Sequence, residues 1–170
     1  FARMGDGSLG GKARGIAFLN KLIEKYTLTQ KYNDIDISIP RSVVITTEYF
    51  DQFILENGLQ YVIDSELSDG DVLSEFVASR LPEPLIAQLR AYLETVTTPL
   101  AIRSSSKLED SNYQPFAGVY STYMIPCTEN KDQMLRMLDK AIKSVYASVF
   151  YNGSRTYVQT TGNLQSEEKM

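Results

Sequence analysis

Arg103 is followed directly by Ser104, Ser105 and Ser106, then by Lys107 and, after Leu108, by the acidic pair Glu109–Asp110. A short apolar run, Pro99–Ile102, leads into the arginine and reads as the end of a buried strand. An arginine at a strand end, with hydroxyls and loop amides behind it, is equipped to cradle a polyphosphate. The planar guanidinium pairs with two phosphate oxygens at once, while amides and hydroxyls supply neutral donors. Phe116, Ala117 and Gly118 close this stretch as an aromatic followed by a small-residue hinge. A second phosphate-seeking element, Gly10–Gly11–Lys12, lies near the start of the chain. Its glycines let the backbone approach a ligand, and a lysine at a helix start sits where the dipole favours anions. Taken alone, that segment reads equally well as the end of a loop with a solvated lysine.

More specific motifs can be tested against these residues. Gly5-Asp6-Gly7-Ser8-Leu9-Gly10 matches G-x-G-x-x-G as a string. A dinucleotide fingerprint needs a strand feeding the turn, and only four residues precede Gly5, so no such strand is expected. The Walker A pattern fails because Asp6 stands where its first glycine belongs and Ala13 replaces the metal-binding hydroxyl. Ser104-Ser105-Ser106-Lys107 matches the S-x-x-K of serine acyl-enzymes, but no Lys-Thr-Gly occurs and no helical pattern follows Ser104. Glu109–Asp110 fits a metal-ligating pair, a general base or solvated loop acids. Neighbours in sequence do not converge in a strand or helix, which leaves at least one of the two solvated. The favoured role is ordering the loop against Arg103 or Lys107.

The totals narrow the class. A chain of 170 residues fits one domain, able to bury about 70% of its unfolded surface. A net charge of −4 argues against a nucleic-acid face, which would be basic. No apolar run approaches the length of a membrane span, so no membrane partner is expected. One cysteine, Cys127, cannot form an internal disulfide and suits a reducing, cytoplasmic setting; it reads as a small buried hydrophobe. There is no histidine, so imidazole cannot act here as base, metal ligand or phosphoryl acceptor. The chain opens on Phe1 and closes on a polar tail, Thr160–Met170, and reads as a piece of something longer.

Periodicity then supplies the elements that must position the candidates. Gly5–Gly11 reads as a flexible opening before a helix carrying Ile16, Leu19, Leu22, Ile23 and Tyr26 on one face. Thr27–Asp36 reads as a connector, and Ser42–Thr46 as a β run after Pro40. Thr47 could cap a helix with Phe50, Phe53, Ile54 and Leu55 as its apolar stripe. Asp69-Gly70-Asp71 reads as a break before a short helix, and Pro82 and Pro84 as the start of another. Val119–Ile125 alternates as a strand would, and 131–150 forms the longest helix. Asn152-Gly153-Ser154 matches a glycosylation sequon and reads as a turn. The sum is an α+β domain with helices covering a small sheet.

Several of these segments occur together in a known order. Gly10-Gly11-Lys12-Ala13-Arg14-Gly15 comes first, then Ile39-Pro40 with Val43–Thr47 and Phe53. Ile102–Ser106 with Glu109–Asp110 and Phe116-Ala117-Gly118 follow, and Ala147-Ser148-Val149-Phe150 comes last. In this order they resemble the amino-terminal nucleotide-binding domain of phosphoenolpyruvate synthase and pyruvate phosphate dikinase, over nearly the whole chain. The resemblance implies the amino-terminal lobe of an ATP-grasp fold across residues 1–170, with ATP as ligand. It implies that Lys12, Arg103, Ser104 and Ser105 bind the phosphates. Ser106, Glu109, Asp110, Phe116, Ala117 and Gly118 would belong to the loop that closes over them. Magnesium ligands and most of the adenine site would lie beyond Met170, as would the histidine that accepts the β-phosphoryl and the domain that passes it to pyruvate. No catalytic or metal-binding residue is then expected within 1–170, and calorimetry on this chain alone should find nucleotide binding weak or undetectable. Related phosphotransferases with an antibiotic or glucan acceptor, and a non-catalytic nucleotide sensor, are the alternatives. Arg41-Ser42, Ser106, Pro115 and Val119 depart from the family's usual residues and bear on loop geometry and on which family member this is.

Overall fold

The computed structural model describes residues 2–32, 34–106, 120–160 and 169–170. In chain order these form β1 (Ala2–Met4), α1 (Gly11–Lys25), α2 (Leu28–Lys31), β2 (Val43–Ile45), α3 (Thr47–Glu56) and α4 (Gln60–Asp64). They continue with α5 (Asp69–Ala78), α6 (Glu83–Leu93), β3 (Leu100–Arg103), β4 (Thr122–Ile125), α7 (Lys131–Ser148) and α8 (Asn152–Thr160). The class is mixed α and β as expected, but the strands form two separate two-stranded sheets in place of one small sheet. β1 pairs parallel with β2, and β3 pairs antiparallel with β4, setting Arg103 opposite Thr122.

α7 organises the interior. Asn130 caps it by accepting from the Gln133 amide at 2.9 Å, and Met134, Leu138, Ile142, Val145 and Val149 are buried along it. Every residue from Ala141 to Ser148 is buried, because α5 and α6 cover one side of α7 while β3 and β4 cover another. Lys143 is only 7% exposed. Its ammonium is satisfied by Asp139 at 2.6 Å and by the Ser79 carbonyl at 3.0 Å, which offsets the desolvation of a buried charge.

An aromatic cluster ties α3 and α5 to α7. Phe50 meets Tyr146 edge-on at 4.9 Å, and Phe53 lies 5.6 Å from both Phe76 and Tyr146. Such pairs contribute roughly 0.5–1.5 kcal/mol each beyond their area burial. The Tyr146 hydroxyl is buried among them with no hydrogen-bond partner among the described residues, and burial alone pushes its phenol well above the usual tyrosine range. Tyr146→Phe is therefore expected to stabilise the fold by about 1 kcal/mol, raising the melting temperature by roughly 2–4 °C. The folded tyrosine holds its proton above pH 10 while the unfolded one releases it, so its contribution is intact below pH 10 and lost as the pH climbs. Melting wild type and Tyr146→Phe at neutral pH and at about pH 11 checks both points. A variant that melts lower at both would show that the hydroxyl has a partner.

Several expectations are corrected at element ends. Residues 2–4 form a strand, because the Ala2 amide reaches the Ser42 carbonyl and the Thr46 amide reaches the Met4 carbonyl, each at 3.0 Å. The connector holds the short helix α2, and α4 was not anticipated. Thr46, not Thr47, occupies the N-cap of α3, and no side chain caps there. Leu55 is 81% exposed, and Tyr49 takes its place in the apolar stripe. Asp69 and Asp71 sit inside the first turn of α5, capped by Ser68, where their charges favour the helix. Asn152 opens α8 instead of a turn, its amide donating to Asp69 at 2.8 Å. Cys127 is half-buried at the core edge, its Sγ 3.9 Å from the Val96 carbonyl oxygen.

Candidate functional site

The glycine-rich segment runs from the end of β1 to the start of α1, and two sets of contacts fix it. At its near end the Thr47 amide donates to the Ser8 carbonyl at 3.1 Å, and the Asp6 amide donates to Glu48 Oε2 at 2.8 Å. Gly5 has φ +89°, and a Cβ there would fall 2.3 Å from Thr46 Oγ1, so both conformation and space require glycine. An open hollow of about 390 Å³ lies beside this end, lined by Gly7, Ser8, Thr47, Glu48, Asp51 and Lys169. Lys169 pairs with Asp51 there at 2.7 Å.

At its far end the segment meets the serines that follow β3. Gly10 is the N-cap of α1 and has no side chain to cap with. The loop 92 residues away supplies the missing partners. The Ala13 amide donates to Ser105 Oγ at 3.0 Å, the Gly11 amide donates to the Ser106 carbonyl at 2.8 Å, and Lys12 Nζ reaches Ser104 Oγ at 3.5 Å. A Cβ on Gly10 would lie 1.3 Å from the Ser105 carbonyl oxygen, so only glycine permits this approach. Ser104 and Ser106 are buried, Ser105 and Lys12 are half-buried, and Arg103 is exposed at the strand end.

Of the residues picked from sequence, Lys12, Ser104, Ser105 and Ser106 therefore meet, and Arg103 stands next in the chain to the serine that Lys12 touches. Glu109, Asp110, Phe116, Ala117 and Gly118 lie outside the described residues, as does Lys107. Two physical expectations change. A strand does precede G-x-G-x-x-G, so the fingerprint is not excluded for want of one. It is opposed on other ground. A dinucleotide site leaves the first amides of the helix open to the pyrophosphate, whereas the Gly11 and Ala13 amides here already bond to Ser106 and Ser105. The same contacts mean that these two amides are not open donors beside Lys12. The capping serine was missed because it comes from a distant loop and no local signal marks it.

Among the described residues, α1's first turn alone is tied down in this way. Gly11 and Ala13 are its buried residues, while Leu19 and Tyr26 of its expected apolar face are 53% and 55% exposed. Among the described residues, no three of Asp, Glu, His and Cys gather as a metal would require. No helix among the described residues is long and apolar enough to cross a membrane.

Comparison with known proteins bears on this arrangement. A Bacillus subtilis (strain 168) protein described as the uncharacterized phosphotransferase YvkC is 29% identical over 134 residues, which is 79% of this chain. The chain spans 15% of that relative's length. No solved structure matches. Residues 6–170 match the family described as pyruvate phosphate dikinase, AMP/ATP-binding domain, which takes in both the glycine segment and the Arg103 loop, and the chain belongs to that family.

Proposed function

We propose that this chain is the amino-terminal lobe of an ATP-grasp nucleotide site in a phosphoenolpyruvate synthase-like phosphotransferase. Lys12 and Arg103 bind the phosphates of ATP, and the loop after Arg103 covers them. In the longer protein, a histidine on another domain accepts the β-phosphoryl group, and a further domain delivers it to pyruvate. The observation that carries this reading is the contact between Lys12 and Ser104, which sets the lysine beside the residue that follows Arg103. Phosphoryl transfer asks a protein mainly to position the phosphates and neutralise their charge. Two cations on a strand end and a helix start are suited to that. Among the described residues no three of Asp, Glu, His and Cys gather, and no metal step is assigned to them.

Titration of the chain with ATP and with AMP, followed by backbone amide shifts, tests the placement. Weak, millimolar-range binding corresponds to about −4 kcal/mol and is measurable this way. ATP should shift 10–13 and 103–106 together, and AMP should leave them nearly unmoved, because the contacts are to the outer phosphates. Shifts confined to the hollow at Glu48 and Asp51 would move the site away from these cations.

A further inference from the structure

Ser105 carries the contact that the proposed phosphate role leaves unexplained. Its hydroxyl oxygen accepts the Ala13 amide at 3.0 Å, and its carbonyl lies where a Gly10 side chain would be. The neighbouring Ser106 carbonyl accepts the Gly11 amide at 2.8 Å, and Ser106 is fully buried. Lys12 is thus flanked on both sides in sequence by amides bonded to the serine loop. We infer that Ser105 is a positioning residue and not a phosphate ligand: together with Gly10 it locks the first turn of α1 onto the end of β3, fixing Lys12 relative to Arg103. This inference rests on the phosphate-site reading above.

The chemistry favours a lock over a ligand. Accepting the Ala13 amide fixes the place of the Ser105 oxygen while its O–H remains a donor, and the lock is completed at Gly10, where a Cβ would fall 1.3 Å from the Ser105 carbonyl oxygen. Neither Ala13 nor Gly11 can offer its N–H to an anion while these bonds stand. Lys12 and Arg103 lie far apart in the chain, and this junction brings the ends of their segments together. A lysine is a flexible point charge, and it gains most from a fixed base.

The test uses this chain, with inorganic triphosphate as probe and backbone amide exchange as second readout. Ser105→Ala should speed exchange at Ala13 by roughly fivefold or more, the usual effect of losing a helix cap. It should also weaken triphosphate binding about tenfold, an affinity change well within reach of titration. Ser105→Thr keeps the hydroxyl and should restore both. Gly10→Ala should reproduce Ser105→Ala by forcing the loop away. Weakened binding with unchanged Ala13 exchange would overturn the inference, since Ser105 would then be a direct ligand. Faster Ala13 exchange with unchanged affinity would also overturn it, since the junction would not position Lys12. Faster exchange at all amides would reduce Ser105 to a general stability role and overturn it as well. Failure of the underlying reading looks different: Lys12→Met and Arg103→Met would leave triphosphate binding as it was, or wild type would give no shift at all.

Discussion

Arg103→Ala, made in the longer phosphotransferase proposed above, is expected to slow the proposed ATP-dependent autophosphorylation by roughly 30- to 1,000-fold, the usual loss when one fixed charge-assisted contact to a reacting phosphate is removed. The side chain is exposed at the end of β3 and makes no ion pair among the described residues. Its removal therefore leaves the core untouched, and the melting temperature should stay within about 1 °C of wild type, as for other surface substitutions. Arg103→Lys separates charge from geometry. Lysine keeps the positive charge but lacks the planar fork, so it should recover only part of the lost rate. Single-turnover transfer to the proposed acceptor histidine, measured for wild type and both variants, checks these outcomes. A wild-type rate for Arg103→Ala would remove the residue from the site, and equal rates for Lys and Ala variants would remove charge as the reason for its presence.

The parts of this chain that were legible in the sequence are those set by local periodicity. Met134, Leu138, Ile142, Val145 and Val149 repeat at helical spacing, and α7 buries all of them. Pro82 and Pro84 mark the start of α6, because proline fits a helix start where its missing N–H is no loss. What could not be read there comes from pairing across long separations. β1 is three residues long and exists only because β2 supplies hydrogen-bond partners about forty positions later. Leu55 looks like core by spacing but lies on the open side of α3, since Tyr49 faces inward instead. Thr46 illustrates the same limit: the sequence points to Thr47 as the cap, yet Thr46 holds that place and its hydroxyl is buried against Gly5 with no hydrogen-bond partner among the described residues. In the candidate site, residue types pointed to Lys12, Arg103 and the serines, while the division of labour among the serines emerged only from the junction with Gly10.

A second large effect is expected far from that junction, at Arg155. Its guanidinium donates to the Phe150 carbonyl at 2.6 Å, to the Val62 carbonyl at 3.0 Å, and to the Ser65 carbonyl. Val62 and Ser65 lie at the end of α4, and Phe150 lies just past α7, so one side chain on α8 joins three elements. Hydrogen bonds from a charged donor contribute about 1.5–3 kcal/mol each. The sum is not fully lost on truncation, because Val62 O keeps the Ser65 hydroxyl at 3.1 Å as a second donor and the arginine is only part-buried. Arg155→Ala should therefore cost about 2–4 kcal/mol, a large share of the 5–15 kcal/mol that holds a typical domain folded. The melting temperature should fall by roughly 5–15 °C. Arg155→Lys cannot span three carbonyls in one plane and should recover less than half of that. Thermal melts and urea unfolding of the three proteins decide the matter, and an Arg155→Ala variant that melts with wild type would mean that buried Val158 and the Asn152 and Ser154 hydrogen bonds suffice to hold α8. Because Arg155 is separated in sequence from both Lys12 and Arg103 and contacts neither, its loss should lower stability without changing the phosphate contacts of the protein that remains folded.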